Sequence, residues 1–181
     1  MSKGVNVRTR TAFDAFRAMV REPRPLTVAC AQDELRPMGP ADGLEEWRDG
    51  CVEGSPSAPG PVLSVSQAML ADRHLWAVRL HDVVSAREDC LFGRSNAVGM
   101  IKHTNLTGGA PAFASGELLF LSEYAVIING RSRRYGPRSE SEMISVAKAF
   151  KNSGYQVWSM GYDAEAGVPY PFNGVAPEWV T

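Results

Sequence analysis

The sequence predicts an α+β domain with a mainly antiparallel sheet and one packed amphipathic helix. Over 76–81 the large apolar residues Trp76, Val78 and Leu80 alternate with Ala77, Arg79 and His81, which is typical of a strand. Only two residues separate the apolar runs 113–121 and 124–129, so we expect these runs to pair as an antiparallel hairpin. Apolar residues then recur at helical spacing over 139–152. Several strands followed by a helix in this order indicate the α+β class.

The N-terminal region predicts a short helix over 11–20 and then an irregular arm. The helix is indicated by an apolar face shared by Phe13, Phe16 and Val20. A capping pair, Thr11 with Asp14, marks its start. From Arg21 to Pro61 the chain contains seven prolines and five glycines, a composition that favours irregular structure. Within this arm, residues 45–49 fit a short helix.

A boundary at 54–61 divides the chain into a helix-and-arm region, residues 1–61, and an α+β domain, residues 62–181. The further predictions for the second region are helical turns at 64–71, a strand at 98–106, a last strand at 156–160 and an irregular tail at 167–181. In the helix at 139–152, Ser139 and Glu142 form a predicted capping box, and Gly154 suits the C-terminal cap.

The composition is that of an ordinary globular chain, with 181 residues, 44% apolar residues and a net charge of −1. No stretch approaches the ~20 apolar residues of a membrane span, so no membrane partner is expected. The balanced charge disfavours general nucleic-acid binding. The three cysteines and three histidines show no metal-ligand spacing, so no metal site is predicted. The first residues lack the apolar segment of a Sec-type signal peptide, which predicts a cytoplasmic protein or export by another route.

The candidate site lies within residues 98–138. At the end of a predicted strand, His103 and Asn105 precede Gly108 and Gly109, whose backbone freedom allows close approach to a ligand. A histidine at a strand end beside such a loop is well placed to bind a ligand or to gain and lose a proton near neutral pH. The alternative is a histidine that hydrogen-bonds to its own turn.

A glutamate stands at the entrance to an apolar strand. Glu117 follows Ser115 and Gly116 and precedes the apolar run 118–121. Burial there would raise the pKa of the carboxyl group and make it a candidate general base. The alternative is a solvated charge at the end of the strand.

Arginines are concentrated just before the predicted helix at 139–152. Four fall within eight residues, and these are Arg131, Arg133, Arg134 and Arg138. Guanidinium groups beside a helix N-terminus predict an anion site for phosphate or carboxylate. The alternative is a solvated cluster in which Glu140 and Glu142 pair with the arginines. In the same loop, Tyr135 offers a ring face on which a ligand could stack and a hydroxyl group. The alternative is a ring that packs under the loop.

One resemblance rests on elements in a fixed order, His103-Thr104-Asn105-Leu106, Gly108-Gly109, Ala114-Ser115-Gly116-Glu117, Ser132, Tyr135 and Pro137, before an amphipathic helix. This order resembles a domain near the ends of bacterial toxin-like and effector proteins, with His-Ser-Ser-Leu, Gly-Gly, Ala-Gly-Glu and Ser-Gly-His-Tyr-x-Pro elements. The chain departs from it at Thr104-Asn105 and at Arg133-Arg134, where the domain has two serines and Gly-His. The resemblance covers about residues 100–154 and implies a setting of conflict or host manipulation.

A second resemblance is to the ADP-ribosyltransferases of the His-Tyr-Glu type. In those enzymes a strand histidine holds the nicotinamide ribose and a later tyrosine stacks on nicotinamide, an order that His103 and Tyr135 match. Their catalytic glutamate follows the tyrosine, whereas Glu117 precedes it, so its use requires a rearranged site. The resemblance implies NAD as substrate.

Two hypotheses of different classes follow. The first is an effector or toxin-type enzyme acting on a phosphate-bearing small molecule, with NAD the candidate for ADP-ribosyl transfer or cleavage. Its catalytic residues are His103, Glu117 and Tyr135, and its ligand-binding residues are Asn105, Gly108, Gly109, Ser132, Arg133 and Arg134. The alternative is a non-enzymatic inhibitor, immunity factor or phage-encoded blocker. It would bind a protein partner through the arm and through Trp47, Trp158 and Trp179.

Overall fold

A computed structural model describes residues 6–53, 57–61, 63–97 and 99–181 of the chain. Part of the predicted boundary at 54–61 and the first residue of the predicted strand at 98–106 lie outside the described residues. The helices are α1 (Val7–Val20), α2 (Gln32–Leu35), α3 (Gln67–Ala71), α4 (Leu91–Arg94), α5 (His103–Thr107) and α6 (Glu140–Asn152), with a 3₁₀ turn at Pro40–Asp42. The strands are β1 (Glu45–Glu46), β2 (His74–Val78), β3 (Val83–Arg87), β4 (Ala114–Ser122), β5 (Ala125–Asn129), β6 (Gln156–Ser159), β7 (Tyr162–Asp163), β8 (Val168–Pro169) and β9 (Glu178–Trp179).

The described strands form a seven-stranded sheet in the order β1-β3-β2-β4-β5-β6-β9, and β7 pairs with β8 separately. Every pairing in the larger sheet is antiparallel except that of β5 with β6. The predicted α+β class is therefore confirmed. The predicted hairpin is confirmed as β4 and β5, in which Leu118 lies opposite Ile128. Helix α6 connects the parallel pair, as such a crossover requires.

Alternate residues of the strands pack on opposite faces of the sheet. On one face, which we call the helical face, α1 and α6 cover Trp76 and Leu118. Phe150 of α6 makes edge-to-face contacts there with Phe13, at 5.0 Å between ring centroids, and with Trp76, at 5.2 Å. This interdigitation of aromatic rings gives the domain its largest apolar core.

The opposite face carries two smaller apolar clusters. Leu75 and Ala77 pack against Ile101 and Leu106, which flank or belong to α5. Further along the sheet, the second cluster is formed by Leu119, Ala125, Ile127, Trp158, Met160 and Phe172. Glu117 lies on β4 between these clusters, directly opposite Leu75. The two clusters therefore leave a polar gap in the middle of this face, which we call the cleft face.

The arm is ordered against the domain in the described residues. Helix α1 begins at Val7, so the prediction of a start at 11 with a Thr11–Asp14 capping pair was wrong. Its first turn is instead capped from the arm: Asp49 accepts hydrogen bonds from the backbone N–H of Arg8 at 3.1 Å and of Thr9 at 2.7 Å. Burial alone would raise the pKa of Asp49, but these two hydrogen bonds lower it overall.

The predicted short helix at 45–49 is also wrong, because Glu45 and Glu46 form β1 and pair with β3. Trp47 follows β1 and is buried, and its indole N–H donates to Ser153 Oγ at 3.0 Å. Trp158 is likewise buried in the second small cluster, where it contacts Trp179 with ring centroids 4.8 Å apart. Trp47 and Trp158 are therefore core residues of the fold, whereas Trp179 is only partly buried. Binding of a protein partner stays a prediction. The division of the chain at residue 61 stays a prediction.

Three further elements differ from expectation. The predicted strand at 98–106 is wrong, because His103–Thr107 is helix α5. The side chain of Asn105 accepts a hydrogen bond from the backbone N–H of Lys102 at 2.8 Å and so caps its start. The tail is not wholly irregular, since it contributes β8 and β9. In α6, Ser139 caps the N-terminus as predicted, but the carboxylate of Glu142 pairs with Arg24 instead of completing the box.

Candidate functional site

A cleft of about 430 Å³ opens on the cleft face between its two apolar clusters. Its floor is the middle of the sheet, where Leu75 lies beside Glu117. One wall is the segment that leads into α5, and the other is the loop after β5 together with β8. The charged or polar lining residues are Glu88, Lys102, His103, Glu117, Arg131, Ser132, Arg133 and Arg134.

Glu117 is held at the floor of the cleft by Asn129, its neighbour on β5. The fully buried Asn129 side chain donates to Glu117 Oε2 at 2.8 Å and accepts from the Glu117 N–H at 3.1 Å. Burial raises the pKa of Glu117, although the Asn129 hydrogen bond and the nearby Arg73 guanidinium oppose that rise. The carboxyl group is therefore both fixed in place and more basic than an ordinary glutamate.

His103 is the first residue of α5 and is only 9% exposed. Its Nε2 lies 2.9 Å from the carbonyl oxygen of Gly116, so Nε2 carries the proton and donates it. Burial lowers the pKa of His103 to about 4, and the charges of Arg134, Lys102 and Arg73 add to the effect. The imidazole is neutral at pH 7. Its Nδ1 has no hydrogen-bond partner among the described residues and is an acceptor for a ligand N–H or O–H.

The two cleft carboxylates share one cation. Arg73 contacts Glu88 Oε2 at 2.5 Å and Glu117 Oε1 at 3.4 Å. The single positive charge of Arg73 therefore offsets one of the two negative charges at the floor of the cleft. A buried carboxylate without such a partner would be costly.

Three lining cations have no carboxylate within ion-pair distance among the described residues, and they are Lys102, Arg131 and Arg133. Arg134 differs, because it pairs with Glu34 of the arm at 2.5 Å and its Nε donates to Cys30 Sγ at 3.4 Å. The cleft thus presents an excess of positive charge beside a neutral imidazole. Such an arrangement attracts anions.

The structure brings five of the predicted site residues together in this cleft, and they are His103, Glu117, Ser132, Arg133 and Arg134. It places four elsewhere. Asn105 is buried and donates to the carbonyl oxygens of Asp33 and Arg36, both at 2.9 Å, so it fixes the arm. Gly108 and Gly109 end α5 with positive φ and lie beside the arm residues Pro37 and Leu35.

Tyr135 lies beneath its loop, not in the cleft. Its ring is fully buried and its hydroxyl donates to the carbonyl oxygen of Ala110 at 3.0 Å, with Thr107 Oγ1 at 3.2 Å. The ring face is therefore closed to a ligand in this structure. Apart from the His103 imidazole, no aromatic side chain lines the cleft among the described residues.

Reasoning from the sequence alone missed Arg73, Glu88, Lys102 and Asn129. Asn129 had a visible signal, because it is a polar residue at the end of the apolar run 124–129. Lys102 also had one, since it directly precedes His103. Arg73 and Glu88 lie outside the segment 98–138 and meet the site only through strand pairing.

No family model, no curated protein and no solved structure matches the chain. No helix in the described part of the chain is long and apolar enough to cross a membrane. The same residues contain no group of three or more His, Cys, Asp or Glu side chains that could hold a metal ion.

Proposed function

We propose that the cleft binds a phosphate-bearing small molecule, and that NAD or an ADP-ribose compound is the candidate ligand. Lys102, Arg131 and Arg133 would hold the phosphates. His103 Nδ1 and the carboxylate of Glu117 would accept hydrogen bonds from ribose hydroxyls. The effector or toxin-type setting is part of the proposal, and the resemblance over about residues 100–154 supports it.

One observation carries this proposal: in a single concave site, lining cations that have no carboxylate partner among the described residues stand beside a buried, neutral histidine. A purely structural cluster of arginines would be expected to pair with nearby carboxylates, as Arg134 does with Glu34. Charge left without a partner in a concavity is typical of a site that an anionic ligand completes.

If the bound molecule is NAD, Glu117 can serve transfer or cleavage. The bond between ribose C1 and the nicotinamide nitrogen breaks, and its electron pair leaves with nicotinamide. The carboxylate of Glu117 stabilises the cationic ribosyl group that forms. A water or an acceptor nucleophile then attacks C1 and gives up its proton to Glu117, whose raised pKa suits it to take that proton.

A thermal-shift panel tests the proposal. It contains NAD, ADP-ribose, ATP, ribose 5-phosphate and adenosine, which has no phosphate. At about 100 times its dissociation constant, a true ligand should raise Tm by about 5–10 °C. Adenosine should give no shift, because it lacks the groups that the cations would hold.

The matched variants are Arg133→Gln, which removes a cation of the cleft, and Arg10→Gln, which removes an exposed cation of α1. Only the first should reduce the shift. Release of nicotinamide from NAD should be lost in Glu117→Gln with binding retained. The absence of a shift with every phosphate compound would refute the proposed function. Binding without nicotinamide release would restrict it to a binding role.

A further inference from the structure

A second concavity, on the helical face, has the opposite charge. A groove of about 570 Å³ lies where α1 and α6 stop covering the sheet, beside β1 and the β4–β5 hairpin. Its apolar surface is aromatic: Trp47 and Tyr155 are buried at its base, and Phe120 projects from β4 with 38% of its surface exposed. Trp47 and Phe120 are stacked, with ring centroids 6.1 Å apart and an interplanar angle of 19°.

Carboxylates surround these rings. Glu45 and Glu46 of β1 and Glu123 of the hairpin turn line the groove, together with one cation, Arg48. None of the three carboxylates forms an ion pair within the part of the chain that the structure describes. Burial raises the pKa of Tyr155 to about 12, and nearby negative groups, Glu123 included, add to the effect. The groove therefore has a negative potential at its aromatic base.

The groove also meets an open edge of the sheet. β1 is the outermost strand on its side, and no described strand pairs with its other edge. The backbone N–H of Trp47 points toward β3 and donates to the carbonyl oxygen of Val83 at 2.7 Å. Successive residues of an antiparallel strand direct their backbone N–H and C=O groups to opposite sides. The backbone groups of Glu46 therefore point away from β3, toward the open edge. An extended segment lying along β1 could hydrogen-bond to these groups.

We propose that this groove docks an extended basic segment of a protein partner, with an arginine side chain stacked on Phe120 and paired with Glu45 and Glu123. Charge complementarity selects the occupant. A guanidinium group stacks on aromatic rings and pairs with carboxylates, so it satisfies both parts of the groove at once. An acidic segment or a nucleic acid would be repelled by the same carboxylates. The proposal is independent of the ligand of the cleft.

The test is fluorescence anisotropy at low salt with a labelled peptide, Gly-Arg-Gly-Arg-Gly-Arg-Gly. The reference peptide has citrulline at the arginine positions, which keeps the shape and removes the charge. The arginine peptide should bind and the citrulline peptide should not. The double variant E45Q/E123Q should weaken binding about tenfold, since each exposed pair contributes modestly.

The matched control is E22Q/E165Q, which removes the same charge from exposed positions elsewhere, and it should change the affinity little. Phe120→Leu keeps an apolar side chain without the ring and should also weaken binding, with Tm measured to confirm folding. The proposal is overturned if the two peptides bind alike or not at all. Equal weakening by both double variants would likewise overturn it, because it would indicate non-specific attraction.

Discussion

His103 donates its Nε2–H to the carbonyl oxygen of Gly116, 2.9 Å away, and so connects the first residue of α5 to the centre of the sheet. This bond fixes the tautomer and directs the unprotonated Nδ1 toward other partners. The candidate site is therefore built on a rigid strand and not on a loop alone.

The pH dependence of stability should reveal the buried histidine. The pKa of His103 is about 4 in the folded chain because the ring is buried, against about 6.5 when it is exposed. Between these values the unfolded chain binds a proton that the folded chain does not. The free energy of unfolding should therefore be unaffected by His103 above about pH 6.5 and should fall as the pH drops, by up to about 3 kcal/mol near pH 4.

Urea unfolding at several pH values measures this effect against the His103→Asn variant, which has no titratable ring. The difference in stability between wild type and variant should change across this pH window. A difference that stays constant would show that His103 is protonated equally in both states.

Gly116 should tolerate no side chain. A Cβ atom there would lie 2.1 Å from the carbonyl oxygen of Asn129 and 2.8 Å from the ring of Trp76. Gly116→Ala should therefore destabilise the protein by about 3 kcal/mol or prevent folding. Gly39→Ala is the control, since its nearest contact would be 3.8 Å away. Thermal unfolding measures both, and similar Tm values would contradict the packing described at β4.

The arm should stabilise α1 through Asp49. Asp49→Ala removes two hydrogen bonds to the first turn and should cost about 1 kcal/mol, the usual value for a cap. Denaturant titration measures the change, with Glu22→Ala as a control at an exposed position. If the two variants are equally stable, the cap contributes nothing in solution.

An ion pair positions the arginine-bearing loop. Arg24 is buried, contacts both oxygens of Glu142 at 2.5 and 2.6 Å, and donates to the carbonyl oxygen of Gly136 at 3.0 Å. Arg24→Gln should cost about 2 kcal/mol because it leaves the partly buried Glu142 carboxylate with only the backbone N–H of Arg138 as a donor, 2.7 Å away. Adding Glu142→Gln should recover part of that loss. A double-mutant cycle by urea unfolding measures the coupling energy between Arg24 and Glu142. If the two single losses simply add in the double variant, the two residues do not stabilise each other.

The parts of the fold that were predictable depend on local pattern. The β4–β5 hairpin and α6 follow from apolar runs and a capping serine within a few residues of each other. The pattern over 98–106 predicts a strand, but the Asn105 side chain caps the Lys102 N–H and Gly108 ends the turn with positive φ, so His103–Thr107 forms helix α5. Strand β3 was not predicted at all. The cap from Asp49 and the Arg24–Glu142 pair join residues far apart in sequence, which no local pattern reveals.

The same distinction applies to the site. His103, Glu117 and Arg133 were found because they flank predicted elements, and their common face follows from β4 and the loop after β5. The position of the Tyr135 ring depends on hydrogen bonds to Thr107 and Ala110 across the loop. The direction of an aromatic ring cannot be predicted from its place in a loop, so the sequence alone left both stacking and burial open for Tyr135.

The most direct measurement is an NMR titration of ¹⁵N-labelled protein with ADP-ribose. We predict that amide signals of Lys102, His103 and Glu117 and of the loop with Arg133 shift together, and that the double variant K102Q/R133Q abolishes the shifts. The imidazole Nδ1 signal of His103 should move as it accepts a hydrogen bond. Unchanged signals at saturating ADP-ribose, or shifts confined to the groove beside β1, would contradict the assignment of the cleft as an anion site.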